Sequence, residues 1–253
     1  MRQMLREIRR APARIVTSVA ALALAVGAIG VFAIPSVASN SIRSTVETDR
    51  LSNIVLSITD SGAADVEQVV GRAANVASFD GQVLADVGVG GRSTMPVVGI
   101  DPADQDVDIV SVTDGRLATA PGEIVVADGV AGPGDRVVVT APDGRAVELR
   151  VVGVGSTSIW VGDDVAFATL ATARDLAGVT GFNRVAVRAI DDGAGALDAT
   201  VDELRERFAN DGVSFAEMPV TVPDGAHPIE ADIQQVSTMI GLSIIHISEP
   251  TRL

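Results

Sequence analysis

Three residue types with distinctive chemistry are missing from this 253-residue chain. It has no cysteine, so it can form no disulfide, thiolate metal site, cysteine nucleophile or lipid-modified cysteine. It has no tyrosine and only one tryptophan, so aliphatic side chains must supply most of its core. It has no lysine either, and all nineteen basic residues are arginine. A phosphate-binding loop of the G-x-x-x-x-G-K-[ST] type needs that lysine, so any ATP used here must be hydrolysed by another subunit.

The charges are divided unevenly along the chain, whose net charge is −14. Residues 1–14 contain five arginines and one acid, whereas residues 41–245 contain thirteen arginines and thirty-one acids. A body this acidic repels nucleic acid and anionic lipid headgroups, so nucleic acid is not expected as a partner. A basic start, an apolar run and an acidic body together indicate a membrane topology.

Residues 15–34 form that apolar run and contain no charged side chain. Twenty helical residues extend about 30 Å, the thickness of the hydrocarbon core of a bilayer. We therefore predict a transmembrane helix over residues 15–38, with residues 1–14 in the cytoplasm by the positive-inside rule. A cleaved signal peptide is the alternative, because Ser36 and Ala38 are small residues at cleavage-site spacing. The run exceeds the roughly 7–15 apolar residues of a signal peptide, which favours an uncleaved anchor.

Residues 39–228 are predicted to form a mixed α+β domain on the extracytoplasmic side. The clearest feature is a β-hairpin whose strands, 135–140 and 146–154, flank the turn Ala141-Pro-Asp-Gly144. The other predicted strands are 53–58, 82–89, 95–100, 165–170 and 184–190, the predicted helices are 41–50, 64–72, 171–176 and 196–210, and residues 213–217 close the set. The last helix has four apolar residues on one face: Leu197, Val201, Leu204 and Phe208.

An acidic run, residues 101–108, suggests a calcium loop at first sight. Asp104, Asp106 and Asp108 have the 1-3-5 spacing of an EF-hand loop. Such a loop then requires glycine at position six and a bidentate glutamate at position twelve. This chain has Ile109 and Gly115 there, so we predict a solvated turn.

Two glycine-rich stretches, 88–91 and 153–155, resemble the beginning of a dinucleotide-binding loop. Neither completes G-x-G-x-x-G, because Ser93 and Ser158 occupy the last position. We predict that both are tight turns at the ends of strands.

No catalytic, cofactor-binding or metal site is predicted, and an enzyme is not expected. The two histidines, the usual general bases, are His227 and His246, and nothing places a nucleophile beside His227. The paired acids 163–164 and 191–192 have the surroundings of solvated turns.

The end of the chain suggests a second membrane helix. Residues 229–245 begin as an acidic helix and become apolar from Val236, but the apolar run of about ten residues is too short to cross a bilayer. We interpret 229–245 as the start of a second transmembrane helix. Residues 246–253, HISEPTRL, resemble a translated sequencing adapter and are interpreted as foreign to the protein.

Several short motifs follow one another in a recognisable order. They are residues 98–102 (VGIDP), 114–116 (DGR), 122–126 (GEIVV), 132–137 (GPGDRV), 150–154 (RVVGV), 166–176 and, entering the last segment, 229–242 (I-x-x-D-I-Q-Q-V-S-x-x-I-G-L). With the basic start and the first apolar helix, this order resembles the permease subunits of ABC transporters of the macrolide-exporter (MacB), FtsX and lipoprotein-release type.

That resemblance implies a MacB-like periplasmic core domain with a βαβ-like part, formed by both ends of the segment, and an inserted strand-rich part. It implies a permease that dimerises with a second permease subunit, binds a cytoplasmic ABC ATPase and contacts membrane lipid. The chain lacks the family's last three membrane helices and the loop that engages the ATPase, so the resemblance identifies it as a fragment.

Two other functions remain open at this point. A single-pass anchored or secreted binding or sensor domain has no need of residues 236–245, the half-length apolar helix. An extracytoplasmic hydrolase is disfavoured because no base and nucleophile pair can be assigned.

Overall fold

A computed structural model describes residues 47–90, 93–157 and 164–223, all within one compact unit of the chain, Thr45–His227. Their elements, in chain order, are β1 (Ile54–Ser61), α1 (Ala63–Val70), β2 (Val76–Val89), β3 (Ser93–Ile100), β4 (Ser111–Gly115), β5 (Glu123–Val126), β6 (Arg136–Thr140), β7 (Ala146–Ser156), β8 (Ala166–Thr169), α2 (Leu170–Ala177), β9 (Phe182–Ala189), α3 (Ala194–Asn210) and β10 (Val220–Thr221). The domain is a sheet-rich α+β fold, as predicted.

The two ends of the described chain form one part of this fold. Strands β10, β1, β9 and the first half of β2 make an antiparallel sheet in that order. The chain order β1–α1–β2 and β9–α3–β10 gives a split βαβ arrangement of the ferredoxin-like kind. The helices α1 and α3 contact one another and bury their apolar residues against the sheet. The βαβ-like part expected from both ends of the segment is therefore present.

Helix α3 shows why this part folds as it does. Leu197, Leu204 and Phe208 are fully buried and Val201 is 6% exposed, as their spacing of three to four residues predicts. The opposite face contains charged side chains that pair within the helix, such as Arg207 with Glu203 at 2.7 Å. The hydrophobic period thus determines both the helix and the face that it buries.

The middle of the chain forms a closed circuit of six strands. Each strand pairs with the next in the order β2, β3, β8, β5, β7 and β6, and β6 returns to pair with β2. Alternate residues of all six strands fill the interior, and Leu176 of α2 joins the same core. A sheet closed in this way has no free edge of its own. This barrel is the strand-rich part inserted between β2 and β9.

Strand β2 belongs to both parts. Its first half, residues 76–82, pairs with β9, and its second half, residues 83–89, pairs with β3. Where the exchange occurs, the side chain of Asn183 accepts a hydrogen bond from the backbone N–H of Leu84 at 2.7 Å and donates to its carbonyl at 2.8 Å. The amide side chain thereby replaces the backbone of β9, and no polar group of Leu84 is left unpaired on that side.

The predicted hairpin is confirmed as β6 and β7. The N–H of Ala141 donates to the carbonyl of Arg145, and the N–H of Gly144 donates to the carbonyl of Ala141, both at 2.8 Å. Gly144 has φ +87°, a conformation that glycine adopts without the steric cost of a Cβ. Turn chemistry alone was sufficient to predict this element.

Some predicted elements differ from those observed. Of the helix predicted over 41–50, only residues 47–48 are helical among those described, and residues 49–50 form a turn. Residues 213–217 contribute one bridge, between Phe215 and Ile58, and the final strand lies at Val220–Thr221. The strands β4 and β5 had no prediction of their own. The predicted membrane segments, 15–38 and 229–245, and the tail 246–253 lie outside the described residues, and no described helix has the length and apolar character to cross a membrane.

Candidate functional site

Three of the motifs that carry the family resemblance meet at one carboxylate. Glu123, at the start of β5, has a side chain only 6% exposed. Two guanidinium nitrogens of Arg116 donate to its two carboxylate oxygens at 2.8 and 2.6 Å, and Arg150 of β7 donates to Oε1 at 2.5 Å. The backbone N–H groups of Thr119 and Ala120 donate to Oε2 at 3.2 and 3.3 Å. DGR, GEIVV and RVVGV are thus joined in space.

This cluster is structural. The hydrogen bonds from Arg116, and after them those from Arg150, hold the pKa of Glu123 well below its usual range, although burial acts in the opposite direction. Both carboxylate oxygens already have partners, so none is left for a proton or a substrate. What the cluster does is fix the segment after β4, the start of β5 and the middle of β7 against one another.

The prediction that the glycines of 153–155 form a tight turn at the end of a strand was wrong. Gly153 and Gly155 lie inside β7, where β4 approaches closely. A Cβ on Gly153 would lie 2.4 Å from the carbonyl oxygen of Arg116, and one on Gly155 would lie 2.6 Å from that of Ser111. The glycines are therefore needed for close packing of strands. The other glycine pattern does mark a turn, since Gly90, just after β2, has φ +59°.

The acidic run is a solvated turn only in part. Asp104 and Asp106 are exposed, and Asp106 pairs with Arg50 at 3.0 Å. Asp108, however, is 5% exposed and accepts hydrogen bonds from the N–H of Ser52 at 2.7 Å and from its hydroxyl at 2.9 Å. The prediction was wrong for Asp108 because its partner lies 56 residues away in the sequence. Among the residues that the structure describes, no group of three potential ligands is arranged for a metal ion.

A concave feature lies along the first half of β2. It has a volume of about 590 Å³, and its walls come from α1, from residues 76–82 of β2, from residues 100–106 and from α2. We call it the edge groove. It exists because residues 76–82 have β9 on one side, whereas β3 begins to pair on the other side only at Val83. No described strand occupies the edge between these points.

One wall of the edge groove is acidic. Asp80 lies in it, and its Oδ2 accepts hydrogen bonds from the N–H groups of Asp106 and Val107 at 3.0 and 2.9 Å. Burial raises the pKa of Asp80 to about 6, and these two hydrogen bonds only partly oppose the rise. The nearby charges of Asp106 and Asp108 raise the pKa of Asp80 further. The carboxylate is therefore short of positive charge.

The other wall is aromatic and contains Arg174, the one cation among the described residues that line the groove. The guanidinium carbon of Arg174 lies 5.2 Å from the ring centroid of Phe182, and its Nε donates to the carbonyl of Gly181 at 3.0 Å. The ring of Phe182 covers Gly81, whose absent Cβ would lie 2.7 Å from it. Gln82 also lines the groove, is 3% exposed, and has a side-chain oxygen without a hydrogen-bond partner among the described residues.

The sequence does not indicate this groove, because its residues belong to separate elements. The other candidate residues lie elsewhere. Asp164 is exposed, and Asp191 and Asp192 lie in the exposed connection before α3, where Asp191 accepts a hydrogen bond from the N–H of Gly193 at 3.0 Å. Ser158, residue 163, His227 and His246 lie outside the described residues.

Comparison with known proteins gave structural matches only. No protein-family model and no curated protein sequence matches the chain. The chain is similar to the extracellular domain of the noncanonic ABC-type transporter YknZ from Gram-positive bacteria, at 15% identity and a TM-score of 0.42, over 64% of this chain and 100% of that one. It is similar to the periplasmic region of MacB from Actinobacillus actinomycetemcomitans, at 15% identity and a TM-score of 0.40, over 73% of this chain and 92% of that one. The first match is the extracellular domain of an ABC-type transporter, and the second is a periplasmic region.

Proposed function

We propose that this chain is part of the permease subunit of an ABC transporter, with the described domain outside the membrane and residues 15–38 as its anchor. In this role it couples a separate cytoplasmic ATPase to export, or to handling of a substrate outside the membrane. A second permease subunit and membrane lipid complete the assembly.

The observation that carries the proposal is the meeting of the family-like motifs at Glu123. Residues 114–116, 122–126 and 150–154 carry the resemblance through their order and spacing along the chain. They contribute Arg116, Glu123 and Arg150 to one ion-pair cluster. The cluster lies in a strand-rich part inserted into a split βαβ part, which is the layout that the resemblance implies.

Two features of composition support the same assignment. The chain has no lysine and therefore no phosphate-binding loop of the G-x-x-x-x-G-K-[ST] type, which agrees with hydrolysis of ATP by a separate subunit. The basic start ahead of an uncharged run, followed by an acidic body, favours a cytoplasmic N-terminus and an external domain.

Sequencing of the genomic locus beyond codon 245 tests the function. We expect an open frame with further hydrophobic spans and a neighbouring gene for an ABC ATPase. A frame that stops there, without either feature, would contradict the permease assignment and favour a single-pass binding or sensor domain.

The topology is tested by single cysteines, since the chain has none of its own. Ser39→Cys and Ser111→Cys should react with a membrane-impermeant maleimide on intact cells or spheroplasts, because Ser111 lies exposed in β4. Ala11→Cys, in the predicted cytoplasmic segment, is the matched control and should react only after lysis. Protection of the first two sites, or labelling of Ala11→Cys in intact cells, would reverse the orientation.

A further inference from the structure

The open edge of β2 has backbone groups available for pairing. Both backbone groups of Leu84 face the side of β9, where they bond to Asn183. Backbone groups of successive residues in a strand face opposite edges. Phe79 and Gly81 lie five and three residues before Leu84, and both separations are odd. Their backbone N–H and C=O groups therefore face the open edge of β2. No described backbone group outside the ladder with β9 bonds to them.

The two walls of the edge groove differ in chemistry. The side chain of Asp80 points to the wall that residues 100–106 form, since its Oδ2 accepts hydrogen bonds from the backbone N–H groups of Asp106 and Val107. The other wall, beside Gly81, has the ring of Phe182 under Arg174. Of the described residues that line the groove, five have acidic side chains and one has a basic side chain.

An added strand would present alternate side chains to these two walls. Side chains at one set of positions would meet the acidic wall, and those between them would meet the aromatic wall. An open strand edge between two walls of different chemistry is the geometry of recognition by strand addition, in which main-chain hydrogen bonds give affinity and alternate side chains give specificity.

We propose that the edge groove binds an extended peptide segment of a partner protein, in which arginine or lysine alternates with apolar residues, as an additional strand on residues 77–82 of β2. Basic side chains of the segment would then face Asp80, Asp101 and Asp104. Apolar ones would contact Phe182. This inference goes beyond the transporter assignment, because it concerns a peptide ligand whatever the domain is attached to.

Synthetic peptides test the proposal on the full 253-residue chain in non-ionic detergent at 0.15 M salt. The probe is fluorescein-labelled Arg-Val-Arg-Val-Arg-Val-amide, with binding followed by fluorescence anisotropy. Arg-Arg-Arg-Val-Val-Val-amide has the same composition and charge without the alternation. We expect the alternating peptide to bind at least about tenfold more tightly, because only it matches both walls.

N-methylation separates strand addition from attraction by charge alone. One isomer is methylated at the three valine N–H groups and the other at the three arginine N–H groups, so each loses donors on a single edge. We expect one isomer to lose binding and the other to retain it. Equal binding of both isomers, or no binding of the unmodified peptide, would overturn the proposal.

Substitutions in the groove provide the matched test on the protein. Asp101→Asn with Asp104→Asn should weaken binding by roughly three- to tenfold, the range for two exposed ion pairs. Asp86→Asn with Asp114→Asn removes the same charge from exposed sites on β2 and β4 and should change affinity less than about twofold. Equal losses in the two double variants would show binding to the overall negative charge and would refute a site at the groove. Circular dichroism of each variant confirms that folding is retained.

Discussion

Asp80 makes the stability of the domain depend on pH in a direction opposite to that of a paired carboxylate. Its pKa is raised from 3.8 to about 6, chiefly by burial. The folded state therefore holds a proton on this side chain more tightly than the unfolded state does. Stability contributed by the neutral form is complete below about pH 4 and is lost as the pH rises through about 6. Each pKa unit corresponds to about 1.4 kcal/mol, so the whole change is about 3 kcal/mol.

Replacing this carboxylate with a neutral amide removes that loss. The side-chain oxygen of Asp80→Asn can still accept the hydrogen bonds from Asp106 and Val107. We expect the variant to be more stable than the wild type by about 2–3 kcal/mol at pH 7.5 and nearly equal to it at pH 4. Urea-induced unfolding of the chain in detergent, followed by circular dichroism between pH 4 and 8, measures the difference.

Asp86→Asn is the control, because it removes one charge from an exposed position of the same strand. Its unfolding free energy should remain parallel to that of the wild type over the whole pH range. If Asp80→Asn also runs parallel to the wild type, or is less stable at pH 7.5, burial does not destabilise the Asp80 carboxylate and the reasoning is refuted.

Three further substitutions test the packing, each by urea unfolding unless stated. Glu123→Gln should lower the free energy of unfolding by about 2–3 kcal/mol at pH 7. This effect declines below about pH 4.5, first because the carboxylate of the unfolded state takes up a proton and, at still lower pH, because that of the folded state does. An unchanged midpoint at pH 7 would contradict the structural role of the cluster. Phe208→Ala should cost about 3–5 kcal/mol, since the ring is fully buried between α3 and the sheet, and a loss below about 1 kcal/mol would be inconsistent with that burial. Gly155→Ala should speed hydrogen exchange in β4, because the new Cβ would lie 2.6 Å from the carbonyl oxygen of Ser111; Gly195→Ala, in open space on α3, should leave that exchange unchanged.

Elements that depend on nearby residues were predictable. Helix α3 follows from one apolar face, and the hairpin of β6 and β7 follows from a Pro-Asp-Gly turn between two apolar strands. The mixed α+β class, with helices towards both ends and strands in the middle, follows from counting such elements. In each case the information lies within about fifteen residues of chain.

Features that depend on distant partners were not predictable. The backbone of Asp108 has φ +54° and its side chain bonds to Ser52, neither of which an acidic run can indicate. Gly153 and Gly155 allow β4 to approach, and β4 itself is a short, mostly exposed strand without an apolar alternation. The edge groove was missed for the same reason, since it arises where one strand changes partners, and pairing partners cannot be read from a single segment.

Strand β2 limits how the length of this chain can vary. Side chains in a strand alternate between its two faces, so one residue inserted between Gln82 and Val83 would turn every later side chain of the strand around. Ala85 and Val87 would then leave the barrel interior, or, if they stayed, Phe79 would leave the core beneath α1 and α3. No single register satisfies both cores after such a change. Natural relatives should therefore show insertions in the connections around β2 and a constant number of residues within it.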